Sequence, residues 1–247
     1  MGFFKMNTKE GPGVEKDEGK VPGIVRFFRV FAGRFWQMVV LNALYVFCCL
    51  PIVTIGPATA GLTYVMRNFS QGKPVEPFGD FFAKCKEHFK QGLAVFFIDL
   101  AVIGAAAFAA YMWSSDEMQV SSFLRTVALV VVFFVSIICL FANFYIYPLM
   151  VSFDLPFKKL VRNSIILGGY TLGRNIVMTL VAAAMIAICF FLFPLSIIII
   201  LFFAFSFCTL VNQFLTFPIL VKYVAKPEEK KPEENEEEQI FSDKRIL

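Results

Sequence analysis

The chain has 247 residues, of which 58% are apolar and only 17% charged, and phenylalanine alone contributes 32 of them. Average soluble domains have about a quarter of their residues charged, and here the charges are confined to segments between long apolar runs. This composition excludes an ordinary soluble domain and indicates an all-α, polytopic transmembrane helical bundle embedded in the lipid bilayer.

The charged residues and the cysteines exclude several function classes. The net charge of +4 does not indicate nucleic-acid binding, because the basic residues flank apolar runs and form no continuous basic face. Five of the six cysteines fall inside apolar runs and no CxxC pair occurs, which argues against a zinc site or a disulfide framework. The sequence contains no evident nucleophile and base pair and no phosphate loop. We therefore predict no enzymatic activity, no metal and no cofactor.

The first segments are polar and then amphipathic. Residues 1–22 mix charged residues with Gly and Pro, so we expect a disordered cytoplasmic arm there. From Val21 to Arg34, phenylalanines alternate with Arg26, Arg29 and Arg34. This pattern suits a short helix in the membrane interface, with its guanidinium groups at anionic headgroups. The alternative is that these arginines merely flank the first span.

A broken apolar segment follows. Residues 35–50 form an apolar run with one strongly polar member, Asn42, and Pro51 should end that helix. A helix over residues 57–69 would be only about 20 Å long. Either residues 52–56 extend it to a full span, or it is a half-helix that begins inside the membrane zone and forms a small polar pocket. The pocket candidates are Thr54, Gly56, Pro57 and Thr59. A compact hairpin of small residues is the simpler alternative.

This segment carries a family resemblance. Asn42 followed by Leu50 to Gly61, which reads LPIVTIGPATAG, resembles the YesL-like family of bacterial integral membrane proteins. The resemblance extends from about Ile24 to Tyr223. It implies a protein of unknown molecular activity, common in Gram-positive bacteria and often encoded beside genes for carbohydrate uptake and polysaccharide utilisation. It therefore implies an accessory role in carbohydrate uptake, with the membrane subunits of a sugar importer as partners, and no catalytic residues.

A second basic amphipathic helix is predicted over residues 78–91, with Lys84, Lys86 and Lys90 on its polar side and His88 as a surface residue. The span that follows, residues 92–113, contains Asp99. A carboxylate inside the bilayer is costly, so it should face protein or water and have a partner. It is either a proton-linked or substrate-binding acid, or it is hydrogen-bonded to a neighbouring polar side chain. The candidate partners are Asn143 and Asn212.

The second half of the chain repeats this order. Residues 123–147 form a span that Pro148 should close. A third basic amphipathic segment covers residues 154–173, and spans over residues 175–193 and 195–221 follow it. Its basic residues are Lys158, Lys159 and Arg162. The acidic residues 225–247 predict a disordered cytoplasmic tail.

The order of amphipathic helix, outgoing span and returning span occurs three times. We therefore predict six crossings in three hairpins, within a single transmembrane domain of residues 23–224. The hairpins are about 35–69, 92–147 and 175–221. The basic excess on one side predicts a cell-membrane protein with both termini in the cytoplasm. The sequence carries no signature of an oligomeric state.

A second function stays open from the residues alone. Asp99 and the broken segment from Pro51 to Pro57 are features of small-solute transporters and channels, in which ionisable groups and interrupted helices bind the cargo. Three further polar residues inside apolar runs would belong to such a site. They are Asn42, Asn143 and Asn212.

Overall fold

The computed structural model describes residues 23–114 and 121–223. Within these ranges all regular secondary structure is helical, which confirms the predicted all-α bundle. The predicted disordered arm of residues 1–22, the connection of residues 115–120 that follows the span of residues 92–113, and the acidic tail of residues 225–247 lie outside the described residues.

Nine helices form the described part of the chain. Their bounds are α1 Gly23–Gly33, α2 Phe35–Cys48, α3 Ile55–Ser70, α4 Pro77–Glu87, α5 Phe89–Ser114, α6 Ser122–Ser152, α7 Phe157–Tyr170, α8 Leu172–Phe191 and α9 Ser196–Tyr223. Within α9, the segment Ile200–Ala204 is π-helical. The three predicted amphipathic segments correspond to α1, α4 and α7, and each is followed by an outgoing and a returning helix.

Fewer helices can cross a membrane than the sequence suggested. Helices α5, α6, α8 and α9 are long and apolar enough, and α1 with α2 makes a fifth span only if the pair is counted as one span bent by 74°. Helix α3 has 16 residues, or about 24 Å, which is less than the hydrocarbon thickness of about 30 Å. Residues 23–114 and 121–223 therefore contain four or at most five candidate spans, in place of the predicted six.

The short helix α3 is the centre of the bundle. It packs against α2, α4, α5, α6 and α9, and twelve of its 16 residues are buried. Small residues allow these close approaches, because a Cβ atom at Gly61 would lie 2.7 Å from the carbonyl oxygen of Phe81 and 2.6 Å from Sγ of Cys85. Helix α3 therefore belongs to the protein core more than to the lipid boundary.

The three amphipathic helices are each fixed by a returning helix. Helix α4 packs along α3 and α7 packs along α6. Helix α1 contacts α9 in the same way, with the Phe27 ring 6.1 Å from Phe207 and 5.3 Å from Phe214. The threefold order in the sequence thus has a counterpart in the packing, in which the last returning helix contacts the first amphipathic one.

Two prolines lie inside helices, contrary to the prediction that Pro148 ends its span. Helix α6 continues through Pro148 to Ser152, and α9 continues through Pro218. Proline lacks the N–H that would bond to the carbonyl four residues earlier, which in α6 belongs to Phe144. That carbonyl oxygen accepts a hydrogen bond from Nδ2 of Asn212 at 3.1 Å. A donor on another helix therefore replaces the missing one.

Candidate functional site

The threonines of the broken segment bond to their own hairpin. The Thr54 hydroxyl donates to the carbonyl oxygens of Cys48 and Pro51, the latter at 2.9 Å. The Thr59 hydroxyl lies 3.1 Å from the hydroxyl of Tyr45 on α2. Both hydroxyl groups therefore stabilise the turn from α2 into α3.

Gly56 and Pro57, the other two predicted pocket residues, are buried against the first turn of α5. A Cβ atom at Gly56 would overlap the carbonyl oxygen of Gly92, so the two backbones touch at this point. These contacts fit the compact hairpin that the sequence left open, although Thr54 and Pro57 also line an apolar cleft.

Asn42 joins α2 to the π-helical segment of α9. Its side chain is completely buried, and Nδ2 donates to the carbonyl oxygens of Ile200 and Leu201 at 2.8 and 2.9 Å. Its Oδ1 accepts from the backbone N–H of Ser206 at 2.7 Å. A π-helical turn interrupts the regular pairing of the α-helix, and a side chain that supplies both donors and acceptors stabilises the interruption.

The other three polar candidates form one layer that joins α5, α6 and α9. The carboxylate of Asp99 accepts a hydrogen bond from Nδ2 of Asn143 at 2.7 Å, so Asn143 is the partner among the two that the sequence suggested. Asn212 donates to the carbonyl of Phe144, the next residue along α6. Asn42 is not part of this layer, because it contacts α9 nearer to the start of that helix.

A polar cleft opens where α4 meets α5 and the α6–α7 connection. Its volume is about 800 Å³, and its polar lining residues are Lys86, Glu87, His88, Lys90, Gln91 and Asp154. Gln91 donates from Nε2 to the carbonyl oxygen of Leu155 at 3.2 Å, which fixes the start of α5 to the α6–α7 connection. The cleft therefore contains both cationic and anionic groups.

His88 lies in this polar cleft and is only 8% exposed, so its predicted surface position is wrong. The chain turns from α4 into α5 at His88, which directs the residue towards the α6–α7 connection. Burial lowers the pKa of His88, against the opposing effect of the Glu87 and Asp154 carboxylates. The hydrogen bond from Lys84 lowers the pKa of Glu87, whose carboxylate lies 2.6 Å from that ammonium group.

An apolar cleft of about 550 Å³ adjoins the polar one, between the end of α2, the start of α3 and α4. Most of its lining is apolar, and includes Phe47, Cys48, Pro51, Pro57, Phe82 and Cys85. Lys86 and Phe89 line both clefts. The two clefts therefore meet at the α4–α5 junction.

Two of the nine predicted interfacial basic residues contact protein. Arg34 lies 4.6 Å over the ring of Phe69 and donates to the carbonyl of Lys73 at 3.3 Å, while Lys84 lies 5.0 Å over the ring of Tyr64. The remaining seven are partly or fully exposed, as residues that contact lipid headgroups would have to be. They are Arg26, Arg29, Lys86, Lys90, Lys158, Lys159 and Arg162.

Sequence reasoning assigned no role to two polar residues that matter in the structure. Nη1 of Arg67 donates to the carbonyl of Val151 at 2.6 Å and to the hydroxyl of Ser152 at 2.9 Å, and so joins the ends of α3 and α6. Gln213 is completely buried on α9, and among the described residues neither atom of its amide has a hydrogen-bond partner. The sequence signal for Gln213 was a glutamine inside an apolar run, which indicates a polar side chain buried between helices.

Comparison with known proteins identifies one region of the chain. Residues 38–110 match the family model described as "Protein of unknown function, DUF624", which is less than a third of the 247 residues. This match includes the broken segment, α4 and most of α5. Neither the curated proteins nor the solved structures gave a match. Residues 38–110 of the chain are therefore similar to the DUF624 family, which is also known as YesL-like.

Proposed function

We propose that the chain is an accessory protein of carbohydrate uptake in the bacterial cell membrane, which acts by contact with the membrane subunits of a sugar importer. The similarity to the DUF624 family and the resemblance to YesL-like proteins support this role. In this proposal the chain binds and does not catalyse. We place both termini in the cytoplasm, because the basic excess of the sequence falls on one side of the predicted topology.

The observation that carries the proposal is the free outer face of α7. The inner face of this helix is buried against α6 through Leu160, Ser164 and Leu167. The outer face is exposed and changes from basic to apolar along the helix, through Lys158, Lys159, Arg162, Ile165 and Ile166, and Tyr170 at its end contacts the ring of Tyr223. A rigid helix that presents cations beside apolar side chains suits a partner protein at the membrane surface.

The polar residues inside the bundle also support a binding role. Asn42 joins α2 to α9, the Asp99–Asn143 pair joins α5 to α6, and Asn212 joins α9 to α6. Each of these side chains has a structural task in holding two helices together.

The test is photo-crosslinking in cells grown on different polysaccharides. A photoreactive amino acid at Ile166, which is 54% exposed on α7, should capture sugar-importer subunits. The matched controls are Leu160, which is buried on the same helix, and Phe190, which is 78% exposed near the end of α8. Charge reversal at Lys159 or Arg162 should weaken the capture. A yield of importer subunits from Ile166 no higher than from Phe190 would overturn the proposal.

A small-solute transporter or channel is the second candidate, favoured by the half-buried carboxylate of Asp99 inside a span. The variant Asp99→Asn keeps a group that can bond to Asn143, so the fold should persist while the charge is lost. Solute flux in reconstituted vesicles that disappears in this variant would establish transport. The absence of flux, together with normal growth of the variant strain on sugars, would exclude it.

A further inference from the structure

The polar and apolar clefts together form one amphipathic groove at the α4–α5 junction. They share Lys86 and Phe89, and their volumes are about 800 and 550 Å³. Both volumes lie within the range of about 300–1,000 Å³ that is typical of small-molecule sites. A ligand that filled both clefts would need a polar head and an apolar tail.

Two cations of the polar cleft are available to bind an anion. Lys86 and Lys90 are exposed, and within the described residues neither takes part in an ion pair. Glu87 is already paired with Lys84, which reduces its repulsion of an anion. The carboxylate of Asp154 adds an acceptor for hydroxyl groups. This set suits a phosphate that carries a hydroxylated substituent.

The apolar cleft has the surface that an acyl chain requires. Phe47, Pro51 and Phe82 are among its apolar lining residues, and the hydroxyl of Thr54 is already engaged with backbone carbonyl groups of the α2–α3 turn. Burial raises the pKa of Cys85 to about 12, so its thiol is neutral and behaves as a small apolar group. Little of this wall would lose a hydrogen bond to water if hydrocarbon covered it.

We propose that this groove binds one anionic phospholipid of the surrounding bilayer, with the phosphate at Lys86 and Lys90 and an acyl chain in the apolar cleft. The position of the groove indicates that its ligand comes from the bilayer, because the groove lies where the amphipathic helix α4 leads into the span α5. The lipid site is independent of the proposed importer contact, which involves the outer face of α7.

The test uses the full-length protein in a mild detergent, titrated with phosphatidylglycerol or with phosphatidylcholine of the same chain length. Native mass spectrometry counts the bound lipids. One phosphatidylglycerol molecule should be retained in preference to phosphatidylcholine. Lys86→Gln and Lys90→Gln should each weaken its binding about fivefold, the effect of one interfacial cation. The control Lys158→Gln with Lys159→Gln removes the same type of charge from α7 and should leave the preference intact.

The tail position has a separate test. Cys48→Phe should fill the apolar cleft and abolish retention, whereas Cys139→Phe, at another partly buried cysteine, should not. If the Cys48 variant does not fold, Phe82→Ser removes part of the wall at a position that is 51% exposed and should weaken retention instead.

Three outcomes would overturn the proposal. Equal retention of the two lipids would show that the groove does not distinguish an anionic from a zwitterionic headgroup. Equal losses in Lys86→Gln and in the α7 control would reduce the effect to general surface attraction. Displacement of the lipid by soluble glycerol phosphate would assign the groove to a free phosphate compound.

Discussion

Nδ2 of Asn212 donates a hydrogen bond to the carbonyl oxygen of Phe144 at 3.1 Å, across the contact between α9 and α6. This carbonyl lacks a donor in its own helix because the residue four positions later is Pro148. The asparagine therefore allows α6 to continue through a buried proline and binds α9 to α6 with the same contact.

This relationship predicts that the cost of removing Asn212 depends on Pro148. Asn212→Val should lower the free energy of unfolding by about 1–3 kcal/mol, because it leaves a buried carbonyl unpaired. In a Pro148→Ala background the new N–H can bond to the Phe144 carbonyl, so the same substitution should cost less. Denaturant unfolding of the four proteins in detergent gives the coupling energy. Equal losses in both backgrounds would contradict this explanation.

Asn42 should be among the most sensitive polar positions in the bundle. Asn42→Leu removes the bonds to Ile200 and Leu201 and the acceptor for the Ser206 N–H, so we expect a loss of about 2–3 kcal/mol. Gln37→Leu makes a similar change on the exposed face of α2 and should stay within about 0.5 kcal/mol of the native protein. Thermal unfolding measures the loss of stability in both variants. Similar losses would show that Asn42 has no special role in stabilising the π-helical segment.

Helices whose sequence signals are local could be predicted from the sequence alone. The amphipathic helices α1, α4 and α7 and the long spans follow from helical periodicity and from the length of apolar runs. The prediction that Pro148 ends its helix applied a correct local rule, but a donor 64 residues later on Asn212 offsets the lost bond. Long-range donors of this type leave no local pattern.

The clefts and the depth of the first hairpin also depend on tertiary contacts. The polar cleft needs the α6–α7 connection to lie beside the α4–α5 junction, which Gln91 and Leu155 fix, and this contact buries His88. The short α3 is largely buried from Gly56 onwards, where its backbone meets that of Gly92 on α5. Single glycines in the sequence indicate that a close approach is allowed, but not which helix approaches.

The contact between Gly56 and Gly92 predicts a severe effect of one methyl group. In Gly56→Ala the new Cβ would overlap the Gly92 carbonyl, so α3 and α5 must separate, at a cost of about 1–3 kcal/mol. Gly104→Ala is the matched control on α5, because a Cβ atom there meets nothing within 4 Å and alanine favours helix. Unfolding in detergent should show a loss in the first variant and none in the second. A Gly56→Ala protein as stable as the control would contradict the close approach.

The buried His88 predicts that the protein loses stability in mild acid. Burial lowers the pKa of His88 in the folded protein and the nearby Lys84 ammonium lowers it further, against the opposing effects of Glu87, Asp154 and Gln91. The unfolded chain therefore takes up a proton first, and the free energy of unfolding should fall as the pH drops below the unfolded pKa of about 6.5. Melting temperatures at about pH 7.5 and about pH 5.5 measure this loss. His88→Gln keeps a polar side chain that does not titrate, so the loss should become smaller. An unchanged pH response in this variant would assign the proton uptake to another group.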